Sequence, residues 1–453
     1  MSFLHRLRGK NTPRVVVVSL DGTPYTLIRR MMDEGRLPHF AALAQEGTLR
    51  QMDSVWPWVS SVAWATFMTG RNPGKHGIFG FVDRDLQTGQ TYIPTSRHMR
   101  GETLWEVLSR AGRRVAVFNV PVTYPPRAVN GLLVGCFLSP KLEKATHPPE
   151  LADSLKNLGY RIDADPWLAR ESKAKLLEDI EDVLQRRVRA LFHFLGEERW
   201  DFFMMHVMET DRLHHFLWQE MEENDAELAP RFYRVYQQVD DMLGQLRGRL
   251  DRETTLLVLS DHGFCGIKKE VYVNRWLTEQ GWLRLQNVPP DPKKGLMELE
   301  PSTRAYSLDP GRVFVNLKGR EPLGSVEPPE YETVREEIAA AALELRDPET
   351  GNAMFRQVFR REELYHGPYV ERAADLILVP HDGYDPKGPL HKEALTFRGD
   401  TLVGMHTFDD AFCFAWGQRL TERRFSIVDL APSILEVLQV PVPSDWDGTS
   451  VWS

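Results

Sequence analysis

Asp211 and His215 stand four residues apart in Glu209-Thr-Asp-Arg-Leu-His-His215. If that segment is helical, the spacing puts a carboxylate and an imidazole on one face, half of a transition-metal site. Asp261-His262 offers the same two ligand types side by side, and Asp21 and His406 supply a third of each. Every one also has an ordinary reading: Asp21 as a turn former or helix cap, Asp211 as an acid favouring a helix dipole, His406 as a loop histidine. Together, three aspartates and three histidines compose two adjacent sites of mixed N and O ligation. That donor set predicts two divalent ions, Zn²⁺ first and Mn²⁺ second, in preference to Mg²⁺ or Ca²⁺. A pair of such ions clamps the attacking and leaving oxygens of an in-line phosphoryl displacement.

The nucleophile for such a reaction is sought at Ser60-Ser61, ahead of a predicted helix over Val62–Thr69 that Gly70 stops. A serine at a helix N-terminus has its hydroxyl in the positive end of the dipole, where a phosphate also binds. The alternative is that one of the two is simply the N-cap. Adjacency alone does not choose between them. His214 points away from Asp211 and His215 on a helix and reads as a packing or supporting residue, and Lys75-His76, in Gly-Lys-His-Gly, as a helix end and turn.

Elements that could bring these residues together follow from the apolar pattern. Val15–Leu20, Phe202–Val207 and Thr254–Leu259 are continuous apolar runs, the mark of strands buried on both faces of a parallel sheet. Asp21 and Asp261-His262 come directly after two of them, at the edge where open α/β sheets place ligands. Further strands are predicted at Arg114–Asn119, Leu132–Phe137 and Ala411–Ala415. Helices are predicted at Pro24–Glu34, Pro38–Glu46, Leu104–Ala111, Ala169–Leu195, Ala226–Leu250 and from Ser426 to Val440. This alternation predicts an α/β fold, a mostly parallel central sheet with helices on both faces. From Asn287 to about Asp400 the texture changes to Pro-rich and Gly-rich sequence, with one helix (Glu330–Leu345) and short strands at Val313–Leu317 and Leu376–Pro380. The expected organisation is a main domain over 1–286, an inserted lobe or cap over 287–400, and a return to the main domain over 401–453.

Composition narrows the partners. With 56 Lys and Arg against 64 Asp and Glu in 453 residues, the formal net charge is −8, without the basic footprint of a nucleic-acid binder. No apolar window is long enough for a membrane span. Met1–Arg14 is basic, but the apolar run after it is too short for a signal peptide. Three scattered cysteines make no disulfide framework and suggest a reducing, cytoplasmic setting.

The ordered set Asp21; Ser60 before Thr69-Gly70; Asn72-Pro-Gly-Lys-His-Gly-Ile-Phe-Gly-Phe81; Glu209–Phe216; Ser260-Asp-His-Gly-Phe264; Gly404-Met-His406; and Val428-Asp-Leu-Ala-Pro-Ser433 resembles the alkaline phosphatase superfamily, above all its type I phosphodiesterase and nucleotide pyrophosphatase branch. The resemblance implies that Asp21, Ser60, Asp261 and His262 hold one metal, that Asp211, His215 and His406 hold the other, and that Ser60 rather than Ser61 attacks phosphorus to give a covalent phospho-enzyme. The implied substrate is a small-molecule phosphoester, a phosphodiester or pyrophosphate. The branch carries an Asn three residues after the nucleophile where this chain has Ala63, which tells against a nucleotide and leaves a backbone donor such as the Ser61 N–H to meet the phosphoryl oxygens. No Cys-x-Pro-x-Arg pattern of the sulfatase branch is present. A phosphomonoesterase or phosphomutase on the same scaffold is the alternative, and a non-catalytic, metal-stabilised binding protein the more distant one.

Overall fold

A computed structural model describes residues 13–291 and 293–453. Residues 1–12, most of the basic start weighed above as a leader, lie outside them. The chain divides into two compact units, one of 1–72, 95–264 and 406–453, the other of 73–94 and 265–405.

The first unit is built on an eight-stranded sheet in the order Thr48–Met52, Ala411–Trp416, Thr254–Leu259, Arg14–Leu20, Phe202–Val207, Val115–Phe118, Gly131–Val134, Thr146–His147. Its five central strands run parallel, Val15 pairing with Phe202 on one side and Thr255 on the other. Ala411–Trp416 is antiparallel to both of its neighbours, and Thr146–His147 to Gly131–Val134. The sheet is therefore mixed, parallel at its centre and antiparallel towards its edges. Val15–Val18 are fully buried, as expected of a strand covered on both faces. The flanking helices include Lys173–Glu197, Glu209–Glu222 and Leu228–Arg247. The predicted Ser426–Val440 helix starts as a 3₁₀ turn over Ile427–Asp429, where Ser426 and Asp429 form a reciprocal cap, and is α-helical over Leu430–Val437.

The second unit contains a four-stranded antiparallel sheet, ordered Ala305–Leu308, Arg312–Val315, Leu376–Pro380, Phe355–Arg360, with the helix Tyr331–Glu344 packed on it. The stretch expected as a lobe, 287–400, falls inside this unit, which also takes in Pro73–Pro94. What ties that early segment in is Arg84: buried, paired with Glu321 at 2.7 Å, and stacked 3.8 Å over the Phe314 ring. Among the described residues no helix is long and apolar enough to cross a membrane.

Candidate functional site

Asp21 follows the Arg14–Leu20 strand and Asp261-His262 follow Thr254–Leu259, the strand paired to it in parallel. Parallel pairing brings the two strand ends to one sheet edge, and Gly22 closes the gap there: its N–H donates to Asp261 Oδ1 at 3.0 Å. Only glycine serves at this point. Its φ is +62°, and a Cβ would come within 2.9 Å of the His262 ring and 3.0 Å of Phe264. Asp21, Asp261 and His262 thus form one group of potential ligand atoms within 4.8 Å of one another.

The second group is Asp211, His215 and His406. Phe202–Val207 leads into the helix Glu209–Glu222, whose first turn carries Asp211, with His215 one turn on. Asp211 Oδ1 lies 3.4 Å from His215 Nε2 and 3.2 Å from His406 Nε2, and the two imidazole nitrogens are 3.0 Å apart. His262 stacks on His406, ring centroids 3.7 Å apart and 17° from parallel, so the two groups share a wall. In both rings Nδ1 faces a backbone carbonyl, Gly263 O at 2.9 Å for His262 and Trp58 O at 3.2 Å for His406. With Nδ1 donating to those carbonyls, each Nε2 keeps its lone pair for the site.

Ser60 begins the helix Ser60–Thr69, and Val59 occupies the N-cap position with no side-chain cap. The N-cap reading of the serines is therefore overturned: Ser60 Oγ donates across the site to Asp21 Oδ1 at 3.0 Å and lies 3.2 Å from His262 Nε2. Ser61 Oγ is buried with no hydrogen-bond partner among the described residues. All seven predicted site residues thus stand at one edge of the first unit's sheet.

Several neighbours were not singled out from sequence. Trp64 Nε1 donates to Asp21 Oδ2 at 3.0 Å, His206 Nε2 lies 3.1 Å from the same oxygen, and Ser19 Oγ meets His206 Nδ1 at 2.9 Å. Ser19 and His206 are register partners. The signal available was a polar residue one position before the end of each of two apolar runs, which reads equally as strand filler. Thr210 donates to the Asp21 carbonyl at 2.7 Å. His214, expected to support, does so, bridging Gly22 O at 2.9 Å and the Tyr236 hydroxyl at 2.7 Å, and burial takes it down to about 3.

The electrostatics are those of a cation site. Burial pushes Asp261 up to about 8, helped by the charge of Asp21. Burial also opposes ionisation of Asp21 and Asp211, but adjoining histidines outweigh it and hold both well below the usual carboxylate range: His206 and His262 for Asp21, His215 and His406 for Asp211. Burial works against a charged His262, yet Asp261 and Asp21 carry it up to about 9, while burial and His262 bring His406 down to about 4. Among the described residues, Asp211 Oδ1 and Asp261 Oδ2 are buried without a hydrogen bond. Buried carboxylates this close are compensated by positive charge or they protonate. A donor set of carboxylate oxygens and imidazole nitrogens, with an orphaned oxygen in each group, fits divalent cations.

A family model described as type I phosphodiesterase / nucleotide pyrophosphatase matches residues 15–409. None of the curated proteins searched matches. Among solved structures, phosphonoacetate hydrolase from Sinorhizobium meliloti 1021, in complex with phosphonoformate, is similar at a TM-score of 0.67 and 20% identity, covering 94% of this chain and 96% of that one. Murine ectonucleotide pyrophosphatase / phosphodiesterase 5 is similar at a TM-score of 0.57 and 17% identity, over 97% of this chain and 100% of that one. At those identities the structural likeness is one of fold, an α/β fold around a large mixed sheet, whereas the family match runs through six of the seven ordered motifs, from Asp21 to His406. The chain is a hydrolase acting on phosphoester bonds and belongs to the type I phosphodiesterase / nucleotide pyrophosphatase family.

Proposed function

We propose that the protein cleaves a small-molecule phosphodiester or pyrophosphate by attack of Ser60 Oγ on phosphorus, through a covalent phosphoseryl intermediate, in a site holding two divalent cations. Asp21, Asp261, His262 and Ser60 hold one cation; Asp211, His215 and His406 hold the other, Zn²⁺ ahead of Mn²⁺. The observation that carries the reading is the Ser60 hydroxyl, at a helix head and within 3.2 Å of both Asp21 Oδ1 and His262 Nε2. When bound, such cations polarise phosphoryl oxygens and lower the pKa of a serine hydroxyl and of water.

The chain's own groups account for the rest. Asp21 orients Ser60 Oγ towards the site. As the Oγ–P bond forms, the bond from phosphorus to the leaving oxygen breaks, and the proton given up by Ser60 ends on that leaving oxygen. Water then cleaves the phosphoseryl bond, its oxygen going to phosphorus and one of its protons to Ser60 Oγ. The first-turn N–H of Ser61, in the positive field of the helix end, meets a non-bridging oxygen. It stands in for the amide side chain that Ala63 does not supply.

The test compares hydrolysis of an aryl phosphodiester and an aryl phosphomonoester by as-purified, chelated and Zn²⁺- or Mn²⁺-reloaded protein. The expected result is diester turnover lost on chelation and restored on reloading, together with a lower thermal midpoint for the chelated protein, since a ligand that binds only the folded state stabilises it. Monoester hydrolysis with diester hydrolysis at background would move the reading to a phosphomonoesterase. Unchanged turnover and midpoint after complete metal removal would overturn it.

A further inference from the structure

The nucleophile helix makes two contacts with one carboxylate. Ser60 and Trp64, one turn apart on Ser60–Thr69, present their donors on the same face. Ser60 Oγ donates to Asp21 Oδ1 and Trp64 Nε1 to Asp21 Oδ2, each at 3.0 Å. We propose that Trp64 is a positioning residue, whose indole N–H fixes the rotation of the Asp21 carboxylate so that Oδ1 faces Ser60 and the cation. The proposal rests on the reading of Asp21 as a cation ligand.

Three features separate this from a tryptophan that merely fills space. The ring is fully buried and held edge-on by Phe67 (centroids 5.5 Å, 75°) and by His206 (4.9 Å, 79°), so the N–H has one direction. The acceptor it meets is a side chain of the candidate site, not the backbone carbonyl that satisfies Trp58 or Trp200. The other neighbour of Oδ2, His206 Nε2, is at 3.1 Å but off the hydrogen-bond line, leaving the indole as the well-aligned donor to that oxygen. With Oδ2 so occupied, the carboxylate is restricted to binding a cation through Oδ1, the oxygen that Ser60 touches. Groups that orient a metal ligand in this way are worth about 10–100-fold in metal affinity or activity.

The experiment measures Zn²⁺ binding to chelated full-length protein by competition with a chromophoric chelator, alongside kcat and KM for the aryl diester, in wild type, Trp64→Phe and Phe67→Leu. Phe67 is equally buried and adjoins Trp64 without touching Asp21, so it reports on packing. Trp64→Phe is expected to weaken one of two Zn²⁺ equivalents by about 10–100-fold and to lower kcat with KM little changed. Phe67→Leu is expected to lower the thermal midpoint while leaving both equivalents intact. Should Trp64→Phe fold poorly, benzothienylalanine at position 64, in which sulfur replaces the indole N–H, removes the donor and keeps the ring. Wild-type affinity at both sites in either Trp64 variant would overturn the proposal. Failure of the wild-type protein to bind Zn²⁺ or turn over the diester would instead overturn the underlying functional reading.

Discussion

Alanine at Ser60 is expected to reduce aryl phosphodiester turnover by about 10⁴-fold or more, the scale of removing a nucleophile whose partners act as a unit. Metal content should stay near the wild-type value, because Asp21, Asp261 and His262 still surround the first position. The variant should also fold: the helix has no side-chain cap at Val59 to lose, and only one donor, that to Asp21 Oδ1, disappears. Ser61→Ala is the control and should keep turnover within about tenfold, since the Ser61 hydroxyl bonds to nothing among the described residues. Rates on the diester, with intact-mass detection of a phosphate adduct in rapidly quenched samples, measure both. Activity retained without Ser60 and lost without Ser61 would move the nucleophile by one residue.

The second large effect is on stability. Arg187 and Glu209 are both buried, Arg187 Nε lying 2.8 and 2.9 Å from the two carboxylate oxygens. Arg187 Nη2 also lies 2.8 Å from Glu209 Oε1, and the guanidinium donates further to the Tyr160 hydroxyl at 2.8 Å and the Ile162 carbonyl at 2.9 Å. Arg187→Met keeps the chain length and abandons a buried carboxylate, and is expected to cost about 3–5 kcal/mol in equilibrium denaturation. Arg187→Met with Glu209→Leu should recover much of that, because an apolar pair leaves no uncompensated charge. A single variant within about 1 kcal/mol of wild type would show that water reaches Glu209. The cost is felt at the site too. Glu209 lies two residues before Asp211 in the first turn of the helix, so the same variant should weaken cation binding by Asp211, His215 and His406.

Where the fold was readable in sequence, the reason is burial on both faces. Phe202–Val207, Thr254–Leu259 and Leu376–Pro380 are strands over the predicted bounds, because a strand shielded from water all round leaves an unbroken apolar run. The edges were harder to see. Thr48–Met52 is a half-exposed strand whose pattern has no period of its own, and it becomes one by pairing with Ala411–Trp416. Thr48–Met52 was missed for that reason, whereas its partner strand was read at Ala411–Ala415. Pro73–Pro94 gave no shift in composition to mark it as part of the second unit; long-range contacts fasten it, among them Arg84 with Glu321, Arg372 with the Tyr92 hydroxyl and Phe79 with Tyr365. At the site, residues that end strands or sit four apart on a helix were legible, since backbone geometry decides which way they face. Trp64 and His206 were not, because what distinguishes them from core filling is the particular carboxylate they meet.

The antiparallel strand Ala411–Trp416 also bears on how the protein is made. It lies between Thr254–Leu259 and Thr48–Met52, two segments that leave the ribosome long before it, and His406 immediately precedes it in the chain. Until those last residues emerge, Thr254–Leu259 presents an open edge next to Asp261 and His262, the exposure that invites wrong pairing in a partly synthesised chain. Six of the seven candidate ligands are by then available, but the second trio lacks its histidine and His262 lacks the ring that stacks on it. Asp211 and His215 thus meet His406, and His262 its stacking ring, only with the arrival of the closing strand.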